Sequence, residues 1–390
     1  MSKLEELLNK ECPDGVEYVE LSSVINYEQP SKYIVENTKY NDDYDTPVLT
    51  AGQTFILGYT NEKDGIYKAS KKEPVIIFDD FTTSFHWVDF NFKVKSSAMK
   101  MLKVIDENKS NFRYLYFCMK NIKYIPTEHA RQWIEKYSKF MIPLPPIEVQ
   151  KEIVRILDTF TKYQDLLNRE LELRKKQYEY YRDKLLTFGD DVELKKLGEI
   201  ANISRGGKLQ KKDFVNNGFP CIHYGQIHTK YSLFPTKTFS FIPYEIADKE
   251  KKASKNDIIM AVTSENVDDV CKCIAWLGNT DVAVGGHTAI ISHNQNPKYL
   301  AYYFNTSMFF YQKIKIIQGT KVMEVSPNKL KNILIPVPPL DEQERIVNIL
   351  DKFDALCNDI TRGLPAEIEM RKKQYEYYRD KLLTFKEKNK

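Results

Sequence analysis

Long apolar runs are missing from this chain of 390 residues. None approaches the roughly 18 consecutive apolar residues of a membrane-spanning helix, so no membrane association is expected. Cysteine is sparse, with six residues at 12, 118, 221, 271, 273 and 357 and no CxxC pair. Cys221-x-His223 and Cys271-x-Cys273 have the spacing of metal ligands, but neither belongs to a plausible four-ligand set. Packing is the competing reading, and no metal site is expected. This usage predicts a reduced, intracellular protein. The opening MSKLEELLNKECPDG is charged and has no apolar h-region, which predicts no signal peptide and a cytoplasmic location. The phosphate loop G-x-x-x-x-G-K-[ST] is absent, and Arg205-Gly-Gly-Lys208 lacks its first glycine, having Asn202 there. Net charge is only +4, so the chain is no polybasic coat, and any anion-binding surface must come from local clustering.

What is present is repetition. Arg174 to Phe188 reads RKKQYEYYRDKLLTF, and Arg371 to Phe385 reads the same fifteen residues unchanged. A looser repeat precedes each copy: PLPPIEVQKEIVRILDTF from Pro143 and PVPPLDEQERIVNILDKF from Pro336. Val16-Glu17 followed by Leu21 matches Val192-Glu193 followed by Leu197. Val192 follows Val16 by 176 residues, Pro336 follows Pro143 by 193 and Arg371 follows Arg174 by 197. The growing offset means that the segments between the repeated frames differ in length. Hydrophobic content of 42% and aromatic content of 13% are enough to build a core in each. The expected division is an N-terminal helical cap 1–15, a globular segment 16–142, a helical spacer 143–189, a second globular segment 190–335 and a distal helical region 336–390.

Inside the globular segments, Pro74-Val-Ile-Ile-Phe78 and Asp257-Ile-Ile-Met-Ala-Val262 have the pattern of buried strands. Asn111–Met119 and Tyr299–Phe304 have that of apolar helices. Each segment is expected to mix helix and sheet. From Ile147 to Phe188 no glycine or proline appears, which predicts one helix of about 63 Å. Positions 153, 157, 160, 164, 167, 171, 174, 178, 181, 185 and 188 step by four and three, the spacing of a coiled-coil seam, and all but Gln164 and Arg174 are apolar. The partner for that seam is the second repeat, through Ile346, Leu350, Phe353, Tyr375, Tyr378, Leu382 and Phe385. The second copy should break at Arg362-Gly363-Leu364, with Pro365 starting a fresh helix. Tyr178 and Tyr181 lie on the seam, whereas Tyr180 and Tyr377 lie off it and are candidates for a partner surface.

A P-x-P-P-hydrophobic elbow, a glutamine three or four residues on, an I-V-x-I-L-D helix and then KQYEYYRDKLL, all repeated after a variable domain, resemble the specificity subunit of type I restriction-modification systems. The resemblance implies an α+β chain. Two α/β target-recognition domains are separated by long helices that pair as an antiparallel coiled coil in a pseudo-twofold repeat. Each domain would read one half of a bipartite site in double-stranded DNA. The helices would set the spacer and dock two methyltransferase (modification) subunits, and restriction motor-nuclease subunits would complete a defence against foreign DNA. The N-terminal residues would close the structure onto the distal helices. The chain itself is expected to be non-catalytic and cofactor-free. It has no D/N-P-P-Y/F motif and no glycine-rich loop for S-adenosylmethionine, so adenine-N6 methylation and cleavage would lie on the partners. The alternatives are a stand-alone nuclease or methyltransferase with a cryptic site, and a coiled-coil protein–protein adaptor that reads no DNA.

Candidate DNA contacts follow from residue chemistry. Arg205, Lys208, Lys211 and Lys212 cluster around Gly206 and Gly207, where lysines neutralise a phosphate that a glycine pair lets approach. Lys313, Lys315, Lys321, Lys329 and Lys331 form a second run, opposed only by Glu324. Lys63, Lys68, Lys71 and Lys72 form a third. A solvated face is the competing reading for each. Base reading needs donors and acceptors on loops. The candidates are Gln53, Thr82, Thr83, Ser84, His86 and Arg131 in the first domain, and Tyr224, Gln226, His228, Ser264, Asn266, Thr320 and Lys321 in the second. Thr320 and Lys321 rank highest, because the family resembled here often has a DNA-facing loop just before the proline elbow.

Overall fold

The computed structural model describes residues 2–52, 54–359 and 361–388. The chain divides into two compact units, residues 1–166 with 368–390 and residues 167–367. Candidate Gln53 lies outside the described residues.

In the first unit, the apolar run after Pro74 becomes the strand Val75–Asp79. It is an inner strand of a four-stranded antiparallel sheet ordered Ile25–Glu28, Met99–Val104, Val75–Asp79, Phe85–Val88. A strand covered on both faces has no polar face to alternate with, so its residues are uniformly apolar. Side-chain period two divides it between two cores. Ile76 and Phe78 pack with the helix Phe112–Asn121, while Val75 and Ile77 pack with Leu49, Phe92 and Val94. A smaller sheet, Ile56–Thr60, Thr46–Leu49 and Lys93–Val94, supplies that second core.

The second unit repeats the plan with other residues. Its antiparallel sheet is ordered Ala201–Arg205, Thr288–His293, Ile258–Ala261, Cys273–Ala275. Ile258 and Met260 pack with the helix Pro297–Tyr303, and Ile259 and Ala261 with Ile222 and Val284. The second sheet, Ser240–Ile242, Phe219–Ile222, Val282–Val284 and Lys252–Ala253, again carries one parallel pair.

The repeated frames close both units in the same way. Tyr18–Glu20 pairs with Met141–Pro143, and Leu194–Lys196 with Leu334–Pro336. The buried Tyr114 hydroxyl donates to the Pro143 carbonyl at 3.0 Å, and that of Tyr299 to Pro336 at 2.9 Å. Asn111 and Asn296 cap their helices with their side-chain oxygens.

The long helix is Ile147–Leu185, 39 residues or about 58 Å. The second repeat forms two helices, Leu340–Asn358 and Leu364–Leu382. The break falls where glycine and proline predict it, since a Cβ on Gly363 would lie 2.4 Å from the Ala355 carbonyl oxygen. In the first unit Phe160 stacks on Tyr378 at 5.4 Å and the Arg371 guanidinium lies over Tyr163 at 5.3 Å, so the two helices run antiparallel. In the second unit Phe353 stacks on Tyr181 at 5.6 Å and on Tyr178 at 6.4 Å. One turn further, Cys357 feels the charges of Lys175 and Arg174, so this pair is antiparallel too. Phe160 and Phe353 are the same residue of the repeat, as are Tyr181 and Tyr378. Each I-L-D helix therefore packs against a copy of RKKQYEYYRDKLLTF. Ile153, Leu157 and Leu167 of the seam are buried, and Tyr180 and Tyr377 are exposed.

The helix Lys3–Glu11 starts with a capping box between Ser2 and Glu5. Lys3 pairs with Glu152 at 3.2 Å, and Leu4 is buried in the first unit's core. Gly15 has φ +106°, and the next residue, Val16, donates from its backbone N–H to the Lys386 carbonyl at 2.9 Å. A side chain at Gly15 would meet that same carbonyl oxygen at 2.6 Å.

Among the described residues no helix is long and apolar enough to cross a membrane, and no three His, Cys, Asp or Glu side chains gather as metal ligands. The six cysteines are free thiols, five of them buried.

Candidate nucleic-acid interface

Antiparallel pairing brings particular strand ends together. In the second unit the end of Ala201–Arg205, the end of Ile258–Ala261 and the start of Thr288–His293 lie at one edge of the sheet. The loop 318–324 joins them, because the Val325 N–H donates to the Val262 carbonyl at 2.9 Å and Thr263 pairs with Glu324. In the first unit the same edge holds Glu28, the turn 79–84 and Met99, and the Gln132 N–H donates to the Asp80 carbonyl at 2.7 Å. Counting back from the proline elbows, Gln132 and Val325 are equivalent positions. The segment 126–131 is thus the first unit's counterpart of 319–324.

Most second-unit candidates meet at this edge. Arg205 donates through Nε to the Gly286 carbonyl at 2.9 Å and through Nη2 to Glu324 Oε1 at 2.7 Å. Lys208 and Lys211 follow it and are exposed, as are Thr320 and Lys321 at the tip of the loop 318–324. Gly319 there takes φ +89°, with the two ends of the loop bonded at Gln318 and Glu324. The Tyr224 ring lies 4.9 Å from that of His287, whose Nδ1 is 3.1 Å from Thr263 Oγ1. Burial holds the neighbouring His223 imidazole below its ordinary pKa, with the charges of Lys211 and His287 adding to the effect.

Other candidates are committed to the fold. Gln226 is buried. Its Oε1 accepts from the His223 N–H at 3.1 Å and its Nε2 donates to Ser240 at 2.7 Å, so its amide is occupied as a helix cap. Gly206 is required by its own protein, since a Cβ there would lie 2.1 Å from the Gly285 carbonyl oxygen. Gly207 packs against the Glu250 carboxylate. Lys313 drops out of the basic run. It is buried, and its ammonium donates to the Asp268 and Val270 carbonyls at 2.7 and 2.8 Å, bracing the loop after Thr263.

The first unit's candidates are split. Thr82 is exposed at the turn, and Arg131 is exposed beside it. Thr83 is buried with φ +60°, which makes it part of the turn's scaffold. Asp80 joins the two segments: its Oδ1 accepts from the Trp133 N–H at 2.9 Å and its Oδ2 lies 3.4 Å from the buried Lys100 ammonium. Phe81 stacks on His129 at 4.7 Å across the same junction. Lys68, Lys71 and Lys72 are exposed, but they precede the start of Val75–Asp79, the opposite end of that strand. In the sequence alone Glu324 reads only as an opposing charge, and nothing distinguishes His287 from the other histidines. The constant spacing to the elbow was the available signal for Glu324, which stands where the first unit has Arg131.

The chain matches the type I restriction modification DNA specificity domain twice, over residues 13–174 and 189–370. It is 44% identical over 406 residues to the type I restriction enzyme EcoR124I/EcoR124II specificity subunit of Escherichia coli, covering 99% of this chain and 97% of that one. Its fold is similar to the crystal structure of a type I restriction-modification S subunit from M. genitalium, with TM-score 0.53, 14% identity and 95% and 96% of the two chains covered. A chain from a structural study of assembly and conformational transition in a type I system gives TM-score 0.56, 17% identity and 95% and 98% coverage. Two family matches in one chain, near-complete coverage of a relative and a frame built twice lead to one conclusion: the chain belongs to the type I restriction-modification DNA specificity family.

Proposed function

We propose that the chain is the sequence-reading subunit of a type I complex and carries no catalytic residue of its own. Residues 16–142 read one half of a bipartite double-stranded DNA site and residues 190–335 read the other. The observation that carries this reading is the same closure of two divergent domains: the bonds of Tyr114 and Tyr299 to the elbow, the caps of Asn111 and Asn296, and the acceptance of those asparagines' N–H by Gln150 and Gln343 recur around loops that share almost no sequence. A frame held constant while its loops vary suits two readers of different half-sites.

In this reading the exposed basic residues Lys208, Lys211 and Lys321 neutralise backbone phosphates, and Thr82, Arg131, Tyr224 and Thr320 face base edges. The helices set the unspecified gap and dock two methyltransferase subunits, with Tyr180 and Tyr377 on the docking surface. Adenine-N6 methylation belongs to those subunits, and cleavage belongs to motor-nuclease subunits. The test is methylation mapping in cells with and without this chain, its partners held constant. A bipartite motif that appears only with the chain supports the reading. Partner assembly without any DNA affinity or motif sinks it in favour of a protein–protein adaptor.

A further inference from the structure

Arg205 is held from two sides by its own domain, through Gly286 and Glu324. A guanidinium carries five N–H donors, and these bonds engage two of them. The outer donors remain open, for the side chain is 51% exposed. Both anchors are themselves fixed. The Glu324 N–H donates to the Gln318 carbonyl at 2.8 Å, and the Glu324 carbonyl accepts from the Gln318 N–H at 2.9 Å. Gly286 sits so close to Gly207 that a Cβ would lie 2.6 Å from its carbonyl oxygen.

A residue that only neutralises phosphate gains nothing from this buttress. A point charge on a flexible stem does that work, and a neighbouring carboxylate weakens it. A side chain that must set two parallel donors against one base edge does gain, because the ordering cost is met before DNA arrives. Exposed lysines at 208, 211 and 321 are available for phosphate. In the first unit the corresponding pair differs: Gln29 follows the strand Ile25–Glu28 where Arg205 ends its strand, and Arg131 replaces Glu324. The frame is constant and this pair is not, as residues that set different half-sites require.

We infer that Arg205 reads a guanine, donating to its O6 and N7 from the major groove, and that Glu324 is the positioning residue that aims it. This rests on the half-site reading above.

The test uses the full chain assembled with its methyltransferase subunits. Wild-type methylation mapping comes first, and failure to give a bipartite motif defeats the half-site reading before any variant is made. Duplexes carrying that motif, or with each guanine of the second domain's half replaced in turn, are then compared for binding at low salt, where phosphate contacts keep weak complexes measurable. One guanine should be preferred by wild type by about 5- to 150-fold, the 1–3 kcal/mol of a bidentate pair. R205A and R205M, which remove every donor, should both abolish that preference and leave the other positions unchanged. E324Q should reduce it partially at the same position. If R205M keeps the preference, or R205A weakens all duplexes evenly, Arg205 is not the reader of that base and the inference fails. If E324Q relaxes a cytosine position instead, Glu324 is itself the reader and the inference fails. R205M retains most of the stem without a donor, so it decides the matter should R205A misfold.

Discussion

Gln150 and Gln343 occupy one position in two different domains. Each Oε1 accepts the backbone N–H of the asparagine that caps the domain's core helix, Asn111 at 2.8 Å and Asn296 at 3.0 Å. Each Nε2 donates to a proline carbonyl of its own elbow, Pro145 at 2.7 Å and Pro338 at 2.9 Å. Each donates once more, to the Lys109 carbonyl and to Gln295 Oε1. Both side chains are fully buried. The amide thus joins elbow and helix through backbone groups that every inserted domain possesses, and only the third bond differs between the two, to a backbone carbonyl in one and to a side chain in the other, which is why the frame tolerates different readers.

Q150A or Q343A should therefore cost about 1–3 kcal/mol, because each strands a partly buried N–H and a buried carbonyl. Calorimetry should show a lower melting temperature for either variant. The methylated motif of the surviving protein should be unchanged. A changed motif would place the glutamine among the readers.

Exchanging residues 16–142 for the corresponding domain of another family member should alter one half of the methylated motif and leave the other intact. Motif mapping of the chimaera checks this. Alteration of both halves, or of neither, contradicts independent readers.

Four residues inserted near Asn168 lengthen the long helix by about 6 Å. That is nearly two base pairs at about 3.4 Å each. They also add about 40° beyond a full turn, which a coiled coil absorbs as a stutter. The half-sites should persist while the gap between them grows by one or two base pairs. An unchanged gap in an active variant would show that this helix does not set it, and a variant without activity would be judged by shorter insertions.

Stability of the second unit should fall in mild acid partly through His223. Its Nδ1 accepts from the Gly225 N–H at 3.2 Å, which requires the neutral ring, and burial lowers its pKa first, aided by Lys211 and His287. A folded-state value below the unfolded one means that the unfolded chain binds the extra proton. The contribution is present above about 6.5 and is lost as pH falls through the folded value. Asparagine keeps the capping oxygen without titrating in this range. H223N should lose less melting temperature than wild type between about pH 7.5 and about pH 5.5. Equal losses would assign the acid sensitivity elsewhere, with His293, also lowered by burial, the next group to replace.

The local architecture was legible in the sequence. Val75–Asp79 and Ile258–Ala261 stand where apolar runs between turn residues place them, and the helix break falls at Gly363. Ile153, Leu157 and Leu167 of the four-and-three seam are buried, and the tyrosines off it, Tyr180 and Tyr377, are more exposed than Tyr181 and Tyr378 on it. These features depend on neighbours within a few residues or on strict repetition, and both are visible in one dimension. The fates of individual polar residues are not. Gln226 and Lys313 read as surface donors and are buried, because the groups that satisfy them, Ser240 for one and the Asp268 and Val270 carbonyls for the other, arrive by tertiary folding. Gly206 suggested room for a phosphate, yet its missing side chain makes room for Gly285. Lys68 and Arg131 looked equivalent as cations until strand direction put their segments at opposite ends of one sheet. Arg205 and Glu324 stand 119 residues apart. Periodicity and composition establish which segments repeat and which faces are buried, since backbone geometry and hydrophobic burial act locally. Only the register of antiparallel strands decides which loops share an edge, and with it which charges meet there.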